Sequence, residues 1–125
     1  MLDASAPDSV GSVFQKHGLE VIFHREVLDE GTPDYVVCAT ALKHEAILVA
    51  VDADIKRLTK RYGSAPDTAR FKHLSVIRVG CNGPLAAKRV EQAMGLLESE
   101  WAYSQGKVAR RLWVDICPHF IKTHR

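Results

Sequence analysis

A three-layer α/β domain, built on a central and mainly parallel sheet of about five strands, is what this sequence predicts. Three observations carry that reading. Segments rich in branched residues alternate along the chain with segments of helical periodicity, the pattern of a parallel sheet covered by helices. The run Ile47 to Val51 is apolar at every position, which suits a strand buried on both faces. The length, 125 residues, is enough for one domain with a real hydrophobic core, so residues 1–125 are read as a single domain.

Met1 to Asp3 reads as the tip of a first strand. Pro7 to His17 reads as a helix, with Pro7 in the first turn, Asp8 favouring the helix N-terminus, and Val10, Val13 and Phe14 at helical spacing. Gly18 suits the left-handed position after a helix, and Gly11 weakens the helix it lies in. Leu19 to Phe23 follows as a second strand, then a polar loop, His24 to Gly31. The tripeptide Thr32-Pro33-Asp34 is a helix start: Thr32 can cap, Pro33 fits the first helical position and Asp34 complements the dipole. Tyr35, Cys38, Ala39 and Leu42 mark the buried face of this helix.

Ile47 to Val51 is the third strand, and a short helix is expected from Asp54, with Ile55, Leu58 and Tyr62 on one face. Gly63 ends it, and residues 64–70 read as a loop. Leu74 to Val79 is a fourth strand. After the turn Cys81-Asn82-Gly83-Pro84 comes the longest helix, Pro84 to about Ser104, with a stripe of Ala86, Val90, Ala93, Met94, Leu97 and Trp101. Arg111 to Ile116 is the fifth strand, and Phe120 to Thr123 a short edge strand. The expected order, 2-1-3-4-5, sets the first strand beside the third, with crossovers right-handed.

The totals exclude several classes. Hydrophobic residues are 46%, charged residues 26% and the formal net charge is +2. A nucleic-acid partner would therefore be held by local basic patches rather than by overall charge. No apolar stretch is long enough for a membrane span, and Met1 to Asp8 lacks the features of a signal peptide. Cys38, Cys81 and Cys117 form no C-x-x-C pair, which points to reduced thiols in a cytoplasmic protein. The six histidines show no paired metal spacing.

Carboxylates stand where a parallel sheet binds ligands. Asp3 ends the first strand, Asp52 and Asp54 follow the third, and Asp34 begins the second helix. In the expected order they meet at the carboxyl ends of the strands, at the topological switch point. Converging carboxylates repel one another unless a cation neutralises them. Mg²⁺ or Mn²⁺, which prefer oxygen ligands, would do so and could activate a water against a phosphodiester. Lys56, Arg57, Lys60 and Arg61 could then hold a sugar–phosphate backbone. Each residue also has a structural alternative: Asp34 a helix dipole, Asp54 an N-cap, Asp52 a turn, the four cations a solvated helix face, and Ser5 and Asp8 a helix start.

The stretches L-D-A-S-A-P-D-S-V, G-L-E-V-I-F-H-R-E-V-L-D-E-G-T-P-D, A-I-L-V-A-V-D-A-D-I-K-R-L and R-F-K-H-L-S-V-I-R-V, in that order and followed by a long helix, resemble the short bacterial PIN-like domains related to the toxin ribonucleases of toxin–antitoxin pairs. The resemblance covers most of the chain. It implies a Mg²⁺- or Mn²⁺-dependent ribonuclease with Asp3, Asp34, Asp52 and Asp54 as catalytic metal ligands, RNA as substrate, an antitoxin protein as partner and a homodimer as the assembly. Three departures stand out: Ala50 replaces the Thr that precedes the third acid in the family, Ile55 replaces its Phe, and Ala4 and Ser5 follow the first acid where the family often carries Asn or His. These leave open a binding module that has lost activity. A receiver-type phosphoacceptor domain is a further alternative, and the missing Lys at the end of the fifth strand argues against it.

Overall fold

The computed structural model describes residues 1–51, 53–55, 71–81, 83–107 and 111–124. The elements among them are helices α1 (Asp8–Lys16), α2 (His24–Val27) and α3 (Asp34–Lys43), strands β1 (Leu48–Ala50) and β2 (Val76–Val79), helix α4 (Gly83–Gln105), and strands β3 (Trp113–Ile116) and β4 (Ile121–Thr123). The chain is α/β. Its open, mixed sheet has the order β1-β2-β3-β4, with β1, β2 and β3 parallel and β4 antiparallel at one edge.

Beyond β1 the sheet thins to single contacts. Leu2 makes one parallel bridge to Phe23 and one to Val49. The Leu2 N–H donates to the Ile22 carbonyl, and the Asp3 N–H to the Val49 carbonyl, both at 2.8 Å. Neither Met1–Asp3 nor Leu19–Phe23 is a strand. The chain turns at Ala4 and Ser5 directly after Asp3, and Phe23 leads at once into α2. Each ladder therefore ends after one residue. The neighbours still run Phe23, Leu2, β1, β2, β3, so the first segment does lie between the second and the third.

The two-residue period of the strands divides the core in two. Leu2, Val49, Ile77, Val79, Val114 and Ile116 face α1 and α4, where they meet Val10, Phe14, Val90 and Met94. Met1, Leu48, Ala50, Val76 and Trp113 face the other way, onto Val37, Cys38 and Ala41 of α3 and onto Ile55, Phe71 and Leu74. The sheet is thus covered on both sides. Fully buried side chains such as Leu48, Val76, Val90 and Ile116 each contribute roughly 1.5–3 kcal/mol relative to exposure.

Several local expectations need correction. Residues 24–27 are helical rather than a loop, and the Phe23 N–H is held by Glu26 Oε1 at 3.1 Å. Pro7 and Pro33 occupy the positions before α1 and α3 rather than the first turns. Thr32 does not cap α3, because its hydroxyl donates to the Asp29 carbonyl at 2.5 Å. Tyr35, Leu42 and Trp101, assigned to buried faces, are 48%, 37% and 40% exposed. Leu112, Val114 and Ile116 do alternate with Arg111, Trp113 and Asp115, yet all six are buried because each face has its own helical layer. Gly18 takes φ +81° after α1, as the left-handed helix end requires. The helix from Asp54 is described only at Ala53–Ile55, and the expectations for Leu58, Tyr62, Gly63 and the loop 64–70 lie outside the described residues.

Candidate functional site

Asp3 lies at the carboxyl end of the parallel strands and is only 6% exposed. Its backbone is fixed by the N–H bond to Val49, and its side chain by Ser5. The Ser5 hydroxyl donates to Asp3 Oδ2 at 2.6 Å and the Ser5 N–H to the same oxygen at 3.2 Å. The Ser5 hydroxyl oxygen in turn accepts the Val51 N–H at 3.1 Å. One serine thus ties the first acid to the backbone just before Asp52. Both donors go to Oδ2, and among the described residues none donates to Oδ1.

Ser5 is not a helix-start residue, since Pro7 precedes α1 and no side chain caps it. The spacing Asp-x-Ser could have signalled the role, because a short hydroxyl two residues after an Asp commonly closes such a turn.

Asp34 is half-buried in the first turn of α3. The Cys38 thiol, one helical turn beyond Asp34, is pushed up to about 12, first by burial and then by the charges of Asp34 and of Asp3. Asp54 is exposed on the turn Ala53–Ile55. Asp52, Lys56, Arg57, Lys60 and Arg61 lie outside the described residues. Among the described residues no three His, Cys, Asp or Glu side chains are grouped as a metal site.

A cavity of about 480 Å³ opens beside Asp3, between the turn at Ala4 and helix α2. Buried His24 lines it together with Arg25, Asp29 and Glu30. The sequence reading treated these four as loop residues. Helix α2 presents His24 and Arg25 here, its start anchored by the single bridge at Phe23 to Leu2, whose carbonyl accepts the His24 N–H at 3.1 Å.

Farther along the same rim is a pair the sequence reading did not single out. Arg78 and Asp115 are register partners on β2 and β3. Arg78 Nη1 donates to Asp115 Oδ1 at 3.0 Å, with side chains 21% and 4% exposed.

Cys38 and Cys81 are buried and Cys117 partly so, and all three are free thiols. Burial pushes the Cys81 thiol up, and Cys117 adds to this while Arg89 opposes it, which leaves Cys81 a poor nucleophile at neutral pH. Among the described residues no helix is long and apolar enough to cross a membrane.

No protein-family model, curated protein or solved structure matches this chain, so the residues and their geometry carry the functional argument alone.

Proposed function

We propose that this chain is a PIN-like, Mg²⁺- or Mn²⁺-dependent ribonuclease, with the segments at Leu2 and Phe23 standing for the first two positions of the family's five-strand parallel sheet. The observation that carries the reading is the Ser5 clamp: a buried carboxylate, Asp3, is hydrogen-bonded through one hydroxyl to the N–H of Val51, the residue before Asp52. Asp3 is thereby held to the backbone at the end of β1. Asp34, in the first turn of α3, would complete the set from the helical layer.

The donor set fits a hard divalent cation. Carboxylate oxygens are its preferred ligands, and Asp3 Oδ1 takes no hydrogen bond from the described residues. Asp3, Asp34, Asp52 and Asp54 are the residues that would hold it. When bound, the ion lowers the pKa of a water and stabilises charge on the phosphate. Of these carboxylates the chain fixes Asp3 through Ser5, which donates to its Oδ2 from hydroxyl and backbone. Lys56, Arg57, Lys60 and Arg61 would guide the RNA backbone toward them. An antitoxin protein and a second copy of the chain are the partners this reading carries.

The test is cleavage of a labelled single-stranded RNA with and without Mg²⁺ or Mn²⁺. Cleavage should need the metal and fall by roughly a hundredfold or more in Asp52→Asn, with the circular dichroism spectrum unchanged. Cleavage by Asp52→Asn at the wild-type rate rules this site out.

A further inference from the structure

The register sets a row of side chains straight across the sheet at its carboxyl end. Leu2 pairs with Val49, so Asp3 stands beside Ala50. Ala50 pairs with Arg78, and Arg78 with Asp115. Alternation turns this row toward α3, the side on which Leu48, Val76 and Trp113 are packed. An acid and an arginine thus stand two strands apart, on the order of 10 Å between backbones, with Ala50 at the register position between them.

The guanidinium of Arg78 reaches toward the rim. Nη1 lies 3.1 Å from the point that a Cβ on Gly80 would occupy, and Cys117 Sγ lies 3.4 Å from the same point. The side chain therefore extends two residues toward the carboxyl edge, over a glycine that leaves room for it. It is incompletely satisfied there. Nη1 is paired with Asp115, while Nε is buried and has no acceptor among the described residues.

A buried ion pair is weak evidence of a stability role, since apolar residues of similar volume usually serve a core at least as well. A planar guanidinium held by one carboxylate, with donor capacity left over, is instead preorganised for a planar or tetrahedral oxyanion.

We infer that Arg78, held by Asp115, is the phosphate-binding residue of this site: it takes a non-bridging oxygen of the phosphodiester whose other side faces Asp3 and Asp34. This rests on the nuclease reading above. Asp115 is a positioning residue that acts through Arg78, and Gly80 supplies the space.

The test uses the full chain and a fluorescein-labelled single-stranded oligoribonucleotide. Its binding is followed by anisotropy in EDTA, and its cleavage in Mn²⁺. The double variant Arg78→Met with Asp115→Leu removes both members of the pair. Arg78→Lys keeps the charge and loses the fork, which covers the case in which the double variant does not fold. We expect the double variant to bind roughly tenfold or more weakly, the loss of a charge-assisted contact. In Mn²⁺, Arg78→Lys should raise KM and lower kcat while its melting temperature stays close to wild type.

Wild-type binding and wild-type kinetics in a folded variant of either kind overturn the assignment of Arg78, with cleavage by the wild type and its loss in Asp3→Asn still supporting the nuclease. A wild-type chain that neither binds nor cleaves the oligonucleotide overturns both.

Discussion

A carboxylate buried as deeply as Asp3 must be held, and the residue that holds it lies two positions along the chain. Ser5 donates twice to one oxygen, once from its hydroxyl and once from its backbone. Replacing Ser5 with Ala leaves the backbone donor in place. It removes the hydroxyl bond and also leaves the Val51 N–H without its acceptor. The expected cost is about 1–3 kcal/mol of stability, because a polar group loses its partner. The larger effect should be on the site. Losing an oriented support of a metal ligand weakens metal affinity or activity by roughly 10–100-fold. Cleavage measured against Mn²⁺ concentration should therefore shift to higher metal in Ser5→Ala and return toward wild type in Ser5→Thr, which keeps the hydroxyl. An unchanged Mn²⁺ curve for Ser5→Ala would show that the clamp serves the fold alone. The sequence reading missed Ser5 because the same residue type before a helix is so often a cap. Only the turn at Ala4, and the strand lying beside it, gives the hydroxyl its second partner.

At the scale of elements, helix existence was legible and helix coverage was not. The 3.6-residue period located α1, α3 and α4, but it cannot say how wide a strip the sheet will cover, so Tyr35, Leu42 and Trp101 were assigned inward and are exposed. Four residues of α2 carry too little periodicity to be seen. Helix α1 carries the clearest test of the packing that positions Asp3. On propensity alone, Gly11→Ala should stabilise the helix by up to about 1 kcal/mol. The packing says otherwise: a Cβ on Gly11 would lie 2.9 Å from Phe23 Cε1 and 3.2 Å from Leu2 Cδ2. Overpacking of this kind costs about 1–3 kcal/mol, so thermal melting should show Gly11→Ala less stable by several degrees. A melting temperature at or above wild type would mean that the Leu2–Phe23 contact yields easily. Leu2 directly precedes Asp3, so the same substitution should also disturb the site.

For the whole molecule, the alternation of strands and helices was enough to place Leu2 between Phe23 and Val49, and so to bring Asp3 toward the end of β1. What alternation cannot supply is register, and the Arg78–Asp115 pair exists only through register. The same arrangement makes global stability depend on alkaline pH through Cys38. Its thiol is fully buried and pushed up to about 12 from an ordinary 9, by burial and by the charges of Asp34 and Asp3. The folded state therefore keeps a proton that the unfolded chain releases above pH 9. The stabilisation is fully present below pH 9 and is lost as pH rises from 9 to about 12. Its size is on the order of a few kcal/mol, at about 1.4 kcal/mol per pH unit. Lysines and tyrosines also titrate in this window, but they are common to the wild type and Cys38→Ala. Denaturant unfolding of both in EDTA, at pH 7 and at pH 11, isolates the thiol. At pH 7 the Ala variant should be less stable, because it leaves a small cavity beneath α3. By pH 11 that gap should shrink or reverse. A gap that stays constant with pH would show that Cys38 ionises in the folded chain as readily as in the unfolded one.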